Sequence, residues 1–433
     1  MTASSQPAGS MPQQVATDPG GLGRLARQAS SGVAVGVASA VGNVAGYLLV
    51  LVLARRLAPA DFGAVGALLN LGVIAAVPAI GWQLVVARRT AADPGGRLAV
   101  VRGSLVIGWG VAASVVAAAP LLTRSLRLED DVLAVILVGL TVVPVTLAFG
   151  AYGRMQGAGR FLPLALGMVT ATCGRLLGAG LGSALHPSAP AVVAGGFVGA
   201  VVGGLVTLQL ARGVRAARVA RTERPDDARP VPSTRRLLAE AATTSVSMAG
   251  LLTLANLDVL LARGLLSADL SGRYVVGSLF AKAAFWGPQF LATVFYPRMV
   301  SAAGRATALR RAVELTCALG GLAVAITATV PAALIRLSAG PGYAELAGDL
   351  WLFAALGSAL AVVQVLVYGR VAVADPWFGW LSWLTAAGVA LATVVLRPGS
   401  IAGVVQVSLA GAVALAAAGL AIEVRSHRGS RGQ

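Results

Sequence analysis

Few side chains in this sequence are placed to do chemistry, and the two most telling are cations in apolar surroundings. Lys282 stands in VVGSLFAKAAFWG and Arg175 in MVTATCGRLLGAG. On a helix, Lys282 lies about 14 Å from the nearer end of its apolar run, and Arg175 about 12 Å. A charge at such depth in hydrocarbon costs roughly 2.5–3.5 kcal/mol on insertion scales and needs a reason. If both face one cavity, that cavity attracts an anion, and phosphate suits Arg and Lys. The bland alternative is a buried ion pair or a snorkelling side chain.

Asp258 lies only about 6 Å from the end of its run. It either pairs with Arg263 or Arg273 at the interface or carries a coupling proton or ion. Asn43, Asn256, Gln83 and Gln289 are amides within or near apolar runs; they bind sugar hydroxyls or bridge helices, and spacing does not choose. The substrate-binding candidates are therefore Lys282, Arg175, Asn256 and Gln289, with Asp258 the coupling candidate. Glu314, four residues after Arg310, fits a local helix pair.

Enzyme chemistry finds little material. Cys173 and Cys317 lie in long apolar runs, and the two histidines, His186 and His427, are far apart. Neither a metal cluster nor a Ser/His/Asp triad can be assembled from them. Glycines at 150–159 are scattered, with no preceding strand and no GK[ST], so there is no phosphate-cradling loop. No catalytic residue, metal or cofactor is expected.

The elements that must position these residues are membrane helices. Of the 433 residues, 57% are hydrophobic and 12% charged, with a mean hydropathy of +0.80. That charge is about half the soluble norm of roughly 25%. Apolar runs long enough to cross a bilayer fall near 33–54, 62–87, 99–122, 132–152, 161–183, 190–211, 240–262, 273–296, 309–330, 347–369, 376–396 and 400–422. They lack the alternation of barrel strands. The fold class is an all-α polytopic membrane protein with twelve transmembrane helices. The stretch 331–340 either extends the ninth helix or forms a short element of its own. Trp377, Trp380 and Trp383 read as an interfacial belt.

With the N-terminus cytoplasmic, 24 of the basic residues fall in cytoplasmic segments and 8 in outer loops. That bias places both termini in the cytoplasm and the chain in the cytoplasmic membrane. The net charge of +17 then faces anionic inner-leaflet lipid, and no aromatic-interleaved basic domain for nucleic acid exists.

A charged, Pro-rich stretch at 212–239 separates six spans from six. LARRLAPADF starts at Leu53 and LARGLLSADL at Leu261; PAIGWQLVVAR starts at Pro78 and PQFLATVFYPR at Pro288. The offsets are 208 and 210 residues. These ordered matches indicate an internal repeat, parallel because six spans is an even number. The domain reading is a tail at 1–32, a six-helix lobe at 33–211, a linker at 212–239, a second lobe at 240–423 and a tail at 424–433. Substrate in such repeats sits between the halves near mid-membrane. Gly195, Gly199 and Gly203 make two overlapping GxxxG steps that allow close helix approach. Pro78, Pro144 and Pro288 interrupt spans.

Several segments resemble bacterial polysaccharide flippases of the multidrug/oligosaccharidyl-lipid/polysaccharide exporter superfamily. GYLLVLVLARRLAPADFGAVGALLNLGVIAAVPAIGWQLVVARRTA resembles their first two spans. NLDVLLARGLLSADLSGRYVVGSLFAKAAFWGPQFLATVFYPRMVSAAGR resembles the seventh and eighth, and IRLSAGPGYAELAGDLWLFAALG the ninth-to-tenth connection. The resemblance implies a V-shaped, two-lobed bundle and alternating access. It implies export of a polyprenyl-diphosphate-linked oligosaccharide to the outer leaflet for surface polysaccharide assembly. Glycosyltransferases or a polymerase would be pathway partners. Asp258 matches the family's NxD stretch. Lipid II flippases usually carry further C-terminal spans, which makes lipid II a poorer substrate expectation. The alternative on the same scaffold is a multidrug or cation exporter, which favours an acidic chamber. A polymerase or ligase would need a large outer loop with paired catalytic groups, and none is visible.

Overall fold

The computed structural model describes residues 38, 41–92, 97–128, 131–212, 234–288, 291, 295, 299, 305–371 and 377–431. Among them the regular structure is helical, with no strand. A chain solvated by lipid must close its backbone hydrogen bonds within each segment, and helices do so.

The first half holds α1 (41–56), α2 (Pro59–Ala75), α3 (Val77–Ala92), α4 (Arg97–Ser125), α5 (Val132–Gly157), α6 (Phe161–Leu185) and α7 (Ala189–Arg212). The second holds α8 (Thr234–Leu265), α9 (Ala268–Trp286), α10 (Arg305–Thr329), α11 (Pro331–Ser338), a 3-10 segment (Pro341–Asp349), α12 (Leu350–Val371), α13 (Trp377–Leu396) and α14 (Ile401–Arg431). Ten helical segments are long and apolar enough to cross a membrane. α1 and α9 complete the twelve expected spans; α9 carries Asp269, Arg273 and Lys282.

Two boundaries differ from the sequence expectation, and a third, which it left open, is decided. The second span is two helices, broken at Ala76 just before Pro78, whose missing N–H and bulky ring oppose a continuous helix. Of the two alternatives for 331–340 the structure has the short element of its own, α11 (Pro331–Ser338), with Pro331 in its first turn. α8 begins at Thr234, inside the stretch read as linker. Hydropathy marks the lipid-solvated part of a helix and not its polar continuation.

Packing repeats in both halves. In the first, α1 meets α6 through Gly42 and Thr172, α3 and α4 pack on α5, α5 on α7, and α6 on α7. In the second, α8 meets α13, α9 and α10 pack on α12, α12 on α14, and α13 on α14. Each helix finds the counterpart of its partner in the other half. The internal repeat is thus a repeat of lobes. The lobes meet where α2, α3 and α4 touch α8 and where α2 touches α9.

The repeated LARxLxxAD motif is a helix stop followed by a helix start. Pro59 opens α2 and Ser267 caps α9, its side chain accepting from the Leu270 N–H at 3.3 Å. Asp61 and Asp269 sit in the respective first turns, where a carboxylate meets the positive helix end.

The arginine of each motif copy reaches across to the other lobe, at the end of the bundle where α1 and α8 stop (the distal end). Arg263, buried at 6% exposure, donates to the carbonyls of Leu126 (3.0 Å), Ala60 (3.0 Å) and Arg127 (3.1 Å), and to the Ser271 hydroxyl (3.0 Å). Arg127 returns a bond to the Leu266 carbonyl at 3.3 Å. Arg55 donates to the Leu337 carbonyl at 2.6 Å. Leu126 and Arg127 follow α4, and Leu337 ends α11, at matching places in the two repeats. Arg127 adopts φ 49°, a left-handed conformation favoured by glycine, as it closes the end of α4. Gly272 lies so close to Pro59 that an added Cβ would collide with that carbonyl. The distal end is therefore closed by a pseudo-symmetric pair of arginine clasps.

A charged donor's hydrogen bond contributes about 1.5–3 kcal/mol. Arg263→Ala should therefore open the distal end. Spin labels at positions 124 and 268, in a background without Cys173 and Cys317, should report a longer and broader distance distribution. An unchanged distribution would show that the clasp does not hold the lobes.

Candidate substrate cavity

The lobes enclose a cavity of about 470 Å³, within the range of roughly 300–1,000 Å³ common for ligand sites. Its walls come from α1, α2, α5, α6 and α7 of the first lobe and from α9 of the second. They are mostly apolar. Asn43 and Tyr47 of α1, Asn70 of α2, Arg175 of α6, and Ser278 and Lys282 of α9 supply the main polar lining.

Arg175 and Lys282 thus share one cavity, although one comes from each half. Arg175 sits on α6, which packs against α7 at backbone distance. α6 and α7 approach so tightly that a Cβ on Gly195 would strike the Gly178 carbonyl, and one on Gly199 the Gly174 carbonyl. The expected small-residue steps at Gly195, Gly199 and Gly203 are this contact; Gly203 meets Ala171. Lys282 is half-buried and donates from Nζ to Oδ1 of Asn70 across the lobe boundary. Asn70 is itself buried and fixed by its Nδ2 donating to the Gly66 carbonyl at 2.7 Å. Among the described residues no Asp or Glu lines this cavity.

Asp258 lies behind Lys282, in the second lobe. It is buried at 5% exposure and accepts from the Tyr274 hydroxyl at Oδ2, at 3.0 Å. It pairs with neither arginine expected from the sequence. Arg263 is spent on carbonyls, and Arg273 pairs with Asp269 at 2.9 Å and with Glu345. The reason is angular: five residues on a helix turn a side chain about 140° away. Asn256 is buried, donates to the Leu252 carbonyl of its own helix at 2.7 Å, and does not line the cavity. Gln289 lies outside the described residues. Gln83 bridges helices, donating to Gln156 at 3.0 Å, whereas Asn43 faces the cavity. Glu314 forms its local pair with Arg310 at 3.4 Å. Trp377 and Trp380 are exposed as a belt requires, but Trp383 donates to the Val246 carbonyl at 3.1 Å.

Sequence reasoning missed Tyr47 and Asn70. The Tyr47 hydroxyl is buried in the cavity wall with no partner among the described residues. A signal existed: Tyr47 follows Asn43 by four residues and so shares its helix face. Asn70 interrupts the second apolar run.

Solved transporters of the MOP superfamily are similar to this chain in fold. A multidrug-resistance MATE family transporter of that superfamily, solved in an inward-facing conformation, is similar over 89% of this chain and 95% of its own. Its TM-score is 0.69 and the identity 15%. The lipid II flippase MurJ in an inward closed conformation has a TM-score of 0.67 and 9% identity over 91% of this chain and 87% of its own. A MOP superfamily transporter from Pyrococcus furiosus, described as having a binding pocket of reverse polarity, has a TM-score of 0.60. It is 15% identical over 93% of this chain and 94% of its own. No curated protein sequence matches this one. The polysaccharide biosynthesis protein family model matches residues 30–303, and the chain belongs to that family.

Because Gly199 sits against the backbone of α6, Gly199→Val should force the α6–α7 pair apart. Overpacking costs about 1–3 kcal/mol or more. The expected result is a lower melting temperature in detergent, with Val198→Ala, on an exposed face, unaffected. Equal melting of Gly199→Val and the parent would refute this packing.

Proposed function

We propose that this chain is a flippase that moves a polyprenyl-diphosphate-linked oligosaccharide from the inner to the outer leaflet of the cytoplasmic membrane. The observation that carries the reading is the cavity shared by Arg175 and Lys282. In a low-dielectric interior two cations with no lining carboxylate favour an anion strongly. A diphosphate can take both, one phosphoryl group to each, with donors from Tyr47 and Asn43 beside them. The apolar wall suits the prenyl chain. The family supports a role in polysaccharide assembly.

The same electrostatics argue against the alternative. A cationic drug would meet two like charges and no carboxylate in the cavity lining. The chain would carry out no covalent chemistry, because the cargo emerges unchanged. Both termini are cytoplasmic by the distribution of Arg, so the distal end faces outward. Closed arginine clasps there leave this conformation receiving cargo from the inner side. The partners are the lipid-linked oligosaccharide, anionic inner-leaflet lipid and the glycosyltransferases or polymerase of the same assembly pathway.

Removing either cation deletes a charge-assisted contact of about 1.5–3 kcal/mol, or roughly ten- to a hundredfold in affinity. Arg175→Ala and Lys282→Ala should each reduce flipping of a fluorescent polyprenyl-diphosphate glycan in proteoliposomes by that order while inserting normally. Wild-type flipping in both variants would remove the basis of this reading, and export of a cationic dye instead would establish the alternative.

A further inference from the structure

Lys282 has two possible partners, and they belong to different lobes. Asn70, the partner it holds, is on α2 of the first lobe. Asp258 is on α8, in the same lobe as Lys282 itself. Between Asp258 and Lys282 lies a second pocket of about 10 Å³, close to the space of one water. Ser278 and Lys282 line both this pocket and the main cavity. Asp258 and Lys282 both line this pocket, although no ion pair of the described residues joins them. Oδ1 of Asp258 is buried and has no hydrogen-bond partner among the described residues, while Tyr274 holds Oδ2. A carboxylate oxygen thus stands ready for a donor, and the lysine stem is the flexible group that can supply one.

Alternating access moves the lobes against each other. It must separate Lys282 from Asn70 and Arg175, which are in the first lobe. It leaves Lys282 beside Asp258 and Tyr274, which travel with it. We propose that Asp258 is the releasing partner of Lys282. With the distal end closed, Asn70 holds the ammonium toward the cavity, where it completes a two-cation anion site with Arg175. With the distal end open, the ammonium falls back onto Asp258 and is neutralised, so the anion loses one of its two charges and departs. The groups facing Lys282 in the two positions are Asn70 from α2, Asp258 from α8, and Ser278 from its own helix. Tyr274 orients the carboxylate. Asp258 is a positioning residue in this scheme and never touches the cargo. The scheme rests on the flippase reading for the identity of the anion but not for the movement of the lysine.

The chain's sole lysine makes the movement observable. Protein labelled with 15Nζ-lysine, in nanodiscs without cargo, gives one side-chain ammonium signal. We expect a different shift in Arg263→Ala, whose distal clasp is weakened, than in the parent, and no such difference once Asp258→Asn is added. The same shift in parent and Arg263→Ala, or a difference that persists with Asp258→Asn, overturns the proposal. So does a shift that appears only with sodium, which would place a cation at Asp258. The second measurement is dissociation of C55 polyprenyl diphosphate. Asp258→Asn, nearly isosteric, should slow it roughly tenfold or more, and Asn70→Leu should speed it, since removing an opposing charge and removing a holder act in opposite directions. Changes of the same sign in both variants would indicate structural damage and overturn the assignment. If the parent protein fails to bind this lipid, the flippase reading fails, and the lysine signal alone decides the movement.

Discussion

Everything in the cavity depends on keeping two positive charges solvated where there is little water. A lone ammonium or guanidinium in hydrocarbon would be expelled or neutralised. Here Lys282 is held by an amide from the opposite lobe, and Arg175 faces the cavity from a helix pair packed at backbone distance. Asn70 accepts a hydrogen bond from the ammonium without cancelling its charge. An aspartate at that position would stabilise Lys282 better and abolish the attraction for an anion. A neutral holder therefore leaves the charge of Lys282 uncancelled.

The same logic runs through the distal clasps. Arg263 and Arg55 bind carbonyl oxygens across the lobe boundary. Carbonyls at helix ends carry partial negative charge and otherwise lack partners. An arginine there joins the lobes through several directional bonds. Such a contact can be broken in steps, as moving lobes require. By contrast, Glu423 within the second lobe meets both Arg305 at 3.0 Å and Arg370 at 2.9 Å. That carboxylate joins α10, α12 and α14 of one lobe. Those two ion pairs lie inside one lobe, whereas the carbonyls of Leu126, Arg127, Ala60 and Leu337 that Arg263 and Arg55 bind lie across the boundary.

The repeat explains why the clasps come as a pair. One stretch of sequence, LARxLxxAD, ends one helix, starts the next and carries the arginine that reaches across. Its duplication produced both halves of the closure. The cavity did not inherit that symmetry. It is lined by five helices of the first lobe and one of the second, and the second lobe's own polar cluster at Asp258 and Tyr274 is shut off behind Lys282.

The sequence by itself determined the lipid solvent, the spans, the division into two repeats and the two cations that had no business in an apolar run. Each follows from local composition or from charge, which one residue reveals. The partners of those cations were not legible. A membrane helix is apolar on nearly every side, so no hydrophobic stripe announces which face turns inward. Asn70 and Asn256 look alike in sequence; one holds Lys282 and the other bonds back to its own helix. Asp258 looked as close to Arg263 as to anything, and helix rotation turned it toward Tyr274 instead. Only the packing of α2 against α8 and α9 decided that Arg175 and Lys282, 107 residues apart, look into the same space.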